Sequence, residues 1–284
     1  MNRISFALDL GKEERVIRGD LFLPEDTGRP APTVLVCHGF KGFKDWGFFP
    51  ELGQKLAEAG LAAITFNFSM NGVGKDLEHF TELDKFSRNT FSREQEDLVR
   101  LVQALRQGEI PQATRCDLTR LGIMGHSRGG GNSLLYALDH SEEVKAAVVW
   151  NSIHRVDFFQ PELLEELRNK GITHVMNART GQRLPIRREV LDDIEANRDR
   201  FNLLGRLPQL TQPLLLVQGG QDLPGLYEGA VRMAEAAPQA TLHVIPEANH
   251  TMGAVHPFAG VTPALEEAIR VTAEFFTQQL EKQG

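Results

Sequence analysis

Hydrophobic positions along the chain change period in a regular order. Ile4, Phe6, Leu8 and Leu10 alternate with other residues, "GKEE" follows, and Ile17, Gly19, Leu21 and Leu23 resume the alternation. Period two on either side of a short polar turn predicts an antiparallel hairpin with one covered face. Pro24 and Pro30 bound the next loop. "TVLVCH" (33–38) is then almost continuously apolar, as expected of a strand buried on both faces. From there strands and helices alternate. Strands are predicted at 61–68, 120–125, 144–153, 213–220 and 240–246, and helices at 49–60, 93–108, 130–140, 227–237 and 263–280. The helix at 49–60 carries Leu52, Leu56 and Ala59 on one side and ends at Gly60, which fits a C-cap. The helix at 93–108 has its stripe at Leu98, Leu101, Val102 and Leu105. Such alternation implies an α/β fold: parallel βαβ units with right-handed crossovers, a mostly parallel central sheet with an antiparallel N-terminal hairpin, and helices on both faces.

One segment breaks the rhythm. Residues 154–208 hold no clear buried strand, although they lie between two core strands. "PELLEELRNKG" and "EVLDDIEANRDRF" read as amphipathic helices joined by the loop "NARTGQRLPIRR". A long insertion at such a place is expected to be a cap over a site. The whole of 1–284 is therefore read as a single domain carrying a cap or lid at about 154–208.

Candidate chemistry centres on "GHSRG" (125–129). Gly-x-Ser-x-Gly fixes only three positions, and a serine in a glycine-rich loop is the competing reading. The context is what counts. An apolar strand leads into the motif and a helix leaves it, which is the strand–turn–helix placement of a nucleophile elbow. So sharp a turn forces an unusual backbone angle at Ser127, and Gly125 and Gly129 let strand and helix approach without side-chain clash. Gly130 and Gly131 are expected to let the helix start lie close to the sheet. A serine hydroxyl needs a base and an orienting acid, and the expected chain order is Ser, acid, His. Of nine histidines, His250 in "IPEANHTMG" falls in a loop after the last strand. His256 is its backup, His243 lies within the strand and reads as structural, and His140, His154 and His174 read as surface or cap residues. The His126 side chain is expected to diverge from that of Ser127. For the acid, "LLLVQGGQD" delivers Asp222 to the same sheet edge, with Asp157 as the competitor. Two backbone N–H donors are needed for an oxyanion; Arg128, after the serine, and Phe40, in the turn after "TVLVC", are the candidates. His38 reads as a loop anchor. His38, Gly39, His126 and Met252 are assigned to the substrate pocket.

Composition narrows the field. The 284 residues carry 31 Lys and Arg against 38 Asp and Glu, a formal charge of −7, which argues against a nucleic-acid binder. No run approaches the roughly 18 apolar residues of a membrane span. Cys37 and Cys116 are the only cysteines and suggest neither metal site nor redox pair, so a reduced, cytoplasmic setting is expected. No metal or organic cofactor is called for, and a monomer or homodimer is expected. "NGVG" (71–74) reads as a tight turn. The stretch 76–94, with Phe80, Phe86 and Phe91, is expected beside the site entrance. Arg179, Arg183, Arg187 and Arg188 lie near Glu162, Glu165, Glu166, Asp192 and Asp193, which predicts internal salt bridging rather than anion binding. The Arg128 side chain is likewise expected to pair with a carboxylate.

"HGFKGFKDWGFFP", "FNFSMNGVG", "GHSRGGG", "GGQD" and "ANHTMG" occur in the order of the α/β-hydrolase superfamily. The chain resembles its dienelactone-hydrolase-like and cinnamoyl (feruloyl) esterase-like branches over roughly residues 15–282, the cap excepted. The resemblance implies nucleophile, acid and base at Ser127, Asp222 and His250, and an oxyanion hole at Phe40 and Arg128. One departure matters. Dienelactone hydrolases proper use a cysteine where this chain has Ser127, so that substrate is set aside. Haloalkane dehalogenases and epoxide hydrolases use an aspartate there, so those chemistries are also disfavoured. The implied activity is a serine hydrolase acting on a small-molecule carboxylic ester or thioester through an acyl-enzyme. A peptidase or acyltransferase with the same triad, and a non-catalytic binding protein of this fold, are the alternatives.

Overall fold

A computed structural model describes residues 2–74, 76 and 79–281. The hairpin is β1 (Asn2–Asp9) and β2 (Val16–Leu23), paired antiparallel. Then follow β3 (Ala31–Cys37), α1 (Phe49–Glu58), β4 (Ala62–Asn67), α2 (Leu83–Ser87), α3 (Phe91–Gln107), β5 (Cys116–His126), α4 (Arg128–Asp139) and β6 (Val144–Trp150). After the inserted segment come β9 (Leu214–Gly219), α8 (Pro224–Ala236), β10 (Ala240–Ile245) and α9 (Pro263–Glu281). Eight strands form one sheet in the order β1-β2-β4-β3-β5-β6-β9-β10. β2 pairs antiparallel with β4, and every pair from β4 to β10 is parallel. No helix among the described residues is long and apolar enough to cross a membrane.

The continuous apolar runs are explained by the two faces they cover. Successive residues of a strand point to opposite sides of the sheet. Leu35, Ile123, Ala147, Val149 and Leu216 enter the core beneath α3, α4 and α8. Val34, Val36, Met124, Val148 and Val217, from the same strands, enter the core beneath α1 and α9. A full burial on either side stabilises by about 2 kcal/mol per large side chain, so a polar residue on either face of these strands is costly.

Strand order also decides where a site can form. From β3 the chain crosses through α1 to β4 on one side, then through α3 to β5 on the other. At such a reversal the loops leaving the two central strands part company and open a crevice at their carboxyl ends. The loops after β3 and β5, carrying Phe40 and Ser127, flank that crevice. His38 anchors the first of them. Its Nδ1–H donates to Gly39 O at 2.9 Å, and its Nε2 accepts from Phe68 N–H at 3.2 Å.

The inserted segment departs from expectation in one respect. Its helices α5 (Pro161–Lys170) and α6 (Glu189–Ala196) are present, with a short α7 (Leu203–Arg206) behind them. The predicted loop between them is largely a β-hairpin, β7 (Ile172–Met176) paired with β8 (Arg183–Arg187). Leu184 and Ile186 are buried, while Arg183 and Arg187 face outward. One buried residue in β7 and two in β8 are too few to make a period stand out, and Pro185 weighs against a strand. Among the arginines, Arg188 pairs with Asp192 as expected, but Arg187 reaches out of the segment to Asp84 at 3.0 Å. In the stretch 76–94, Leu77 and Glu78 lie outside the described residues. Phe80 and Phe86 pack in a third apolar cluster with the inserted segment, whereas Phe91 belongs to the main core. "NGVG" is a tight turn in which Asn71 Oδ1 accepts from Val73 N–H.

Two outcomes are expected. A Cβ on Gly129 would stand 2.5 Å from the His38 carbonyl oxygen and closer still to that of Cys37. Gly129→Ala should therefore lower the thermal midpoint by more than about 5 °C or abolish folding, since backbone cannot yield cheaply. Gly225→Ala, with open space around it, should stay within about 2 °C. Second, burial lowers the pKa of His38 from 6.5 to about 4, so it is neutral in the fold. The unfolded chain takes up this proton first as pH falls. His38 thus costs stability progressively from pH 6.5 down to about 4, and chemical denaturation of His38→Gln across that window should show a shallower loss, by at most about 1.4 kcal/mol per pH unit.

Candidate active site

Ser127 sits between β5 and α4 with φ 56° and ψ −120°, a strained conformation for a residue with a side chain. The surrounding contacts over-determine it. Ser127 N–H donates to Trp150 O at 2.9 Å, and Ser127 O accepts from Gly130 N–H at 3.0 Å and Ile153 N–H at 3.3 Å. A Cβ on Gly125 would fall inside the Gly129 carbonyl, and Cβ atoms on Gly130 and Gly131 would meet Ser152 and Ile153 at 2.5 and 2.7 Å. The run of glycines therefore lets α4 start directly against β5 and β6.

The elbow turns Ser127 Oγ toward His250, whose Nε2 lies 3.1 Å away. On the far side of the ring, His250 Nδ1–H donates to Asp222 Oδ1 at 2.9 Å. Because a carboxylate can only accept, this bond puts the ring proton on Nδ1 and leaves the Nε2 lone pair facing the serine hydroxyl. The Asp222 carboxylate is buried, and its Oδ1 also accepts from Leu223 N–H at 2.7 Å while Oδ2 accepts from Gln218 Nε2 at 3.1 Å. Burial alone would raise its pKa, but the hydrogen bond and charge of His250 and these further donors outweigh it and hold the group below the ordinary carboxylate value.

The alternatives for these roles stand elsewhere. Asp157 is exposed beside Arg155 at 3.7 Å. His256 accepts from Gly47 N–H at 3.1 Å and stacks on Trp46, holding the loop before α1. His243 pairs with Glu267 at 2.8 Å, and His174 is exposed on β7.

Arg128 is the first residue of α4, so its N–H is among those with no acceptor inside the helix. Its buried guanidinium turns away to Glu94, with Nε 2.9 and 3.2 Å from the two carboxylate oxygens, and lies 3.9 Å from the Phe91 ring centroid. Asn132 and Asn89 donate to the same carboxylate at 2.7 and 2.8 Å. The ion pair is thus fully engaged in holding the first turn of α4. Phe40 lies in a turn closed by Gly42 N–H donating to Gly39 O at 3.0 Å, with Lys41 at φ 59°. The Phe40 ring packs against Phe86 and Phe158 at 5.6 Å and Phe159 at 5.9 Å. Lys41 Nζ donates to Met176 O at 3.0 Å, and Gln182 brackets the Phe80 peptide with two 3.0 Å hydrogen bonds. The inserted segment is therefore docked on the turn that carries Phe40.

Of the four residues assigned to the pocket, Gly39 adjoins the serine, since a Cβ there would lie 3.1 Å from Ser127 Cβ. The other three, His38, His126 and Met252, are also buried, and each makes hydrogen bonds that tie neighbouring loops together. The chain bends so tightly at the elbow that His126 points under His250. Its Nε2–H donates to His250 O at 2.7 Å, and the two rings are 4.8 Å apart. Asn151, with no motif to announce it, donates to the same carbonyl at 2.8 Å.

Residues 32–179 match the profile of the alpha/beta hydrolase fold family, which is more than half the chain. No curated protein matches by sequence. Among solved structures, the chain is similar to Est1E from Butyrivibrio proteoclasticus, at 17% identity over 98% of this chain and 99% of that one, with a TM-score of 0.70. Est1E has also been solved with ferulic acid bound. A dienelactone hydrolase from Anabaena variabilis is 20% identical over 98% and 99% of the two chains, with a TM-score of 0.61. A putative hydrolase from Agrobacterium vitis is 17% identical over 97% and 98%, with a TM-score of 0.71. With its switch-point crevice, its strained serine and the profile match across β3 to the inserted segment, the chain belongs to the alpha/beta hydrolase family.

Proposed function

We propose that the protein is a serine hydrolase that cleaves a carboxylic ester or thioester through an acyl-enzyme. The observation that carries this reading is the unbroken hydrogen-bonded line from Ser127 Oγ through the half-exposed His250 to a buried, ionised Asp222. Ser127 Oγ attacks the carbonyl carbon while His250 Nε2 takes its proton, and Asp222 holds the imidazole in the receptive tautomer. The carbonyl oxygen gains charge and is met by the Phe40 and Arg128 N–H groups. His250 then gives its proton to the departing alcohol or thiol. Water, deprotonated by the same nitrogen, attacks the acyl-serine and returns Ser127 to its starting state. Every step uses groups of the chain, so neither a metal nor an organic cofactor enters.

The inserted segment acts in this reading as a cap within a single domain. Phe158 and Phe159 line up with Phe40 on its inner side and supply an apolar wall for one half of the substrate. The esterase and ferulic acid in the names of similar structures support an ester substrate as the first class to assay. A peptidase or an acyltransferase would use the same line of groups. We place the protein in the cytoplasm as a monomer or homodimer.

A fluorophosphonate probe and short-chain nitrophenyl esters test the proposal. Wild type should label and turn over. Ser127→Ala should lose labelling, and Ser127→Ala and His250→Ala should each lose at least about 10³-fold in kcat. Asp222→Asn should cost about 10²- to 10⁴-fold, with Asp157→Asn near wild type. A wild-type protein inert to every ester, or undiminished labelling of Ser127→Ala, would sink the reading.

A further inference from the structure

The half-exposed imidazole of His250 is carried on a loop after β10, outside regular structure. The restraint lies on its main chain. His250 O accepts from two donors, His126 Nε2 at 2.7 Å and Asn151 Nδ2 at 2.8 Å. Asn151 Nδ2 also donates to Asn249 O at 3.1 Å, and Asn151 Oδ1 accepts from Gly219 N–H at 2.7 Å. Gly219 closes β9, three residues before Asp222. Asn151 N–H donates to Val217 O at 3.0 Å.

These partners leave no freedom in assigning the amide. A main-chain N–H requires the oxygen, and two carbonyls require the nitrogen. Asn151 is fully buried and has φ 45°, a left-handed conformation that asparagine adopts more readily than most residues. One side chain therefore joins the loop of the base to the strand of the acid, while His126 joins the same loop to the strand of the nucleophile. Asn249 completes the loop from within, its Oδ1 accepting from Thr251 N–H at 3.1 Å and Gly253 N–H at 2.8 Å.

We propose that Asn151 and His126 are positioning residues that clamp the His250 carbonyl and so set the Ser127–His250 distance from behind the ring. The proposal rests on the hydrolase reading for its kinetic test, and on the geometry alone for its spectroscopic one. Asn151→Asp keeps the acceptor and the tolerance for positive φ but turns an oxygen toward two carbonyls. Asn151→Gly keeps the backbone and removes the amide. His126→Phe keeps an aromatic ring without a donor, and His126→Gln returns an N–H near the original position.

In nitrophenyl ester hydrolysis, both Asn151 variants and His126→Phe should lose roughly 10- to 100-fold in kcat with KM within about 3-fold, and His126→Gln should recover most of the loss. Folded variants with wild-type kcat, a loss confined to KM, or equal losses in His126→Phe and His126→Gln would overturn the clamp. Should the Asn151 variants fail to fold, the His126 pair decides alone. An inert wild type would end the hydrolase reading and the kinetic test with it, and leave the spectroscopic test to decide the clamp. The proton shared by His250 Nδ1 and Asp222 should give a downfield NMR line, broadened in Asn151→Asp and His126→Phe. An unchanged line in both variants would overturn the proposal on its own.

Discussion

The site depends on a place where no side chain fits. At Gly129 the first turn of α4 presses against the carbonyls of Cys37 and His38, at the end of the neighbouring strand. Because that contact is backbone on backbone, α4 begins directly against the end of β3 and the turn that follows it. A methyl group there would push the helix from the sheet and from that turn. Strain at Ser127 is the local cost of this approach. It is offset by the hydrogen bonds that Ser127 makes to Trp150, Gly130 and Ile153.

Around this contact several buried polar groups hold the start of α4 and the loops beside Ser127. Arg128 and Glu94 form an ion pair that is almost wholly buried. Such pairs seldom stabilise a fold more than a good apolar replacement would, but this one is saturated by Asn89, Asn132 and the face of Phe91. Its effect is to fix the side chain next to Ser127 against Glu94 and the Phe91 ring. His38 and His126 behave alike. Burial holds His126 down to about 3, with the charge of His250 adding to the effect, so each is a neutral hydrogen-bonding spacer and not a second base.

Much of this was legible in the sequence because its cause is local. Apolar period announces strands, glycine spacing announces the elbow, and a carboxylate or histidine just past a strand marks the sheet edge that Asp222 and His250 share. What escaped reading has non-local causes. Asn151 looks like any residue ending a strand, and its importance appears only when β5, β6, β9 and the loop after β10 are brought together. His126 was expected to diverge from Ser127 and to belong to the pocket; nothing in its residue type told that the turn would carry its ring beneath that of His250, a direction fixed by the backbone at Ser127. The β7–β8 hairpin was hidden by its brevity and by Pro185, and it forms because Leu184 and Ile186 have the cluster of Phe80 and Phe86 to bury against.

Phe40 belongs to two structures at once. Its main chain belongs to the turn after β3, next to Gly39 and so beside Ser127, whereas its ring is shared with Phe86, Phe158 and Phe159. Sequence change in the inserted segment is thereby coupled to the conformation of the turn beside Ser127. A relative that exchanged this insertion for one of another shape would have to rebuild the ring's surroundings before that turn recovered its place. Change in the insertion is thus least constrained at residues that do not touch Phe40.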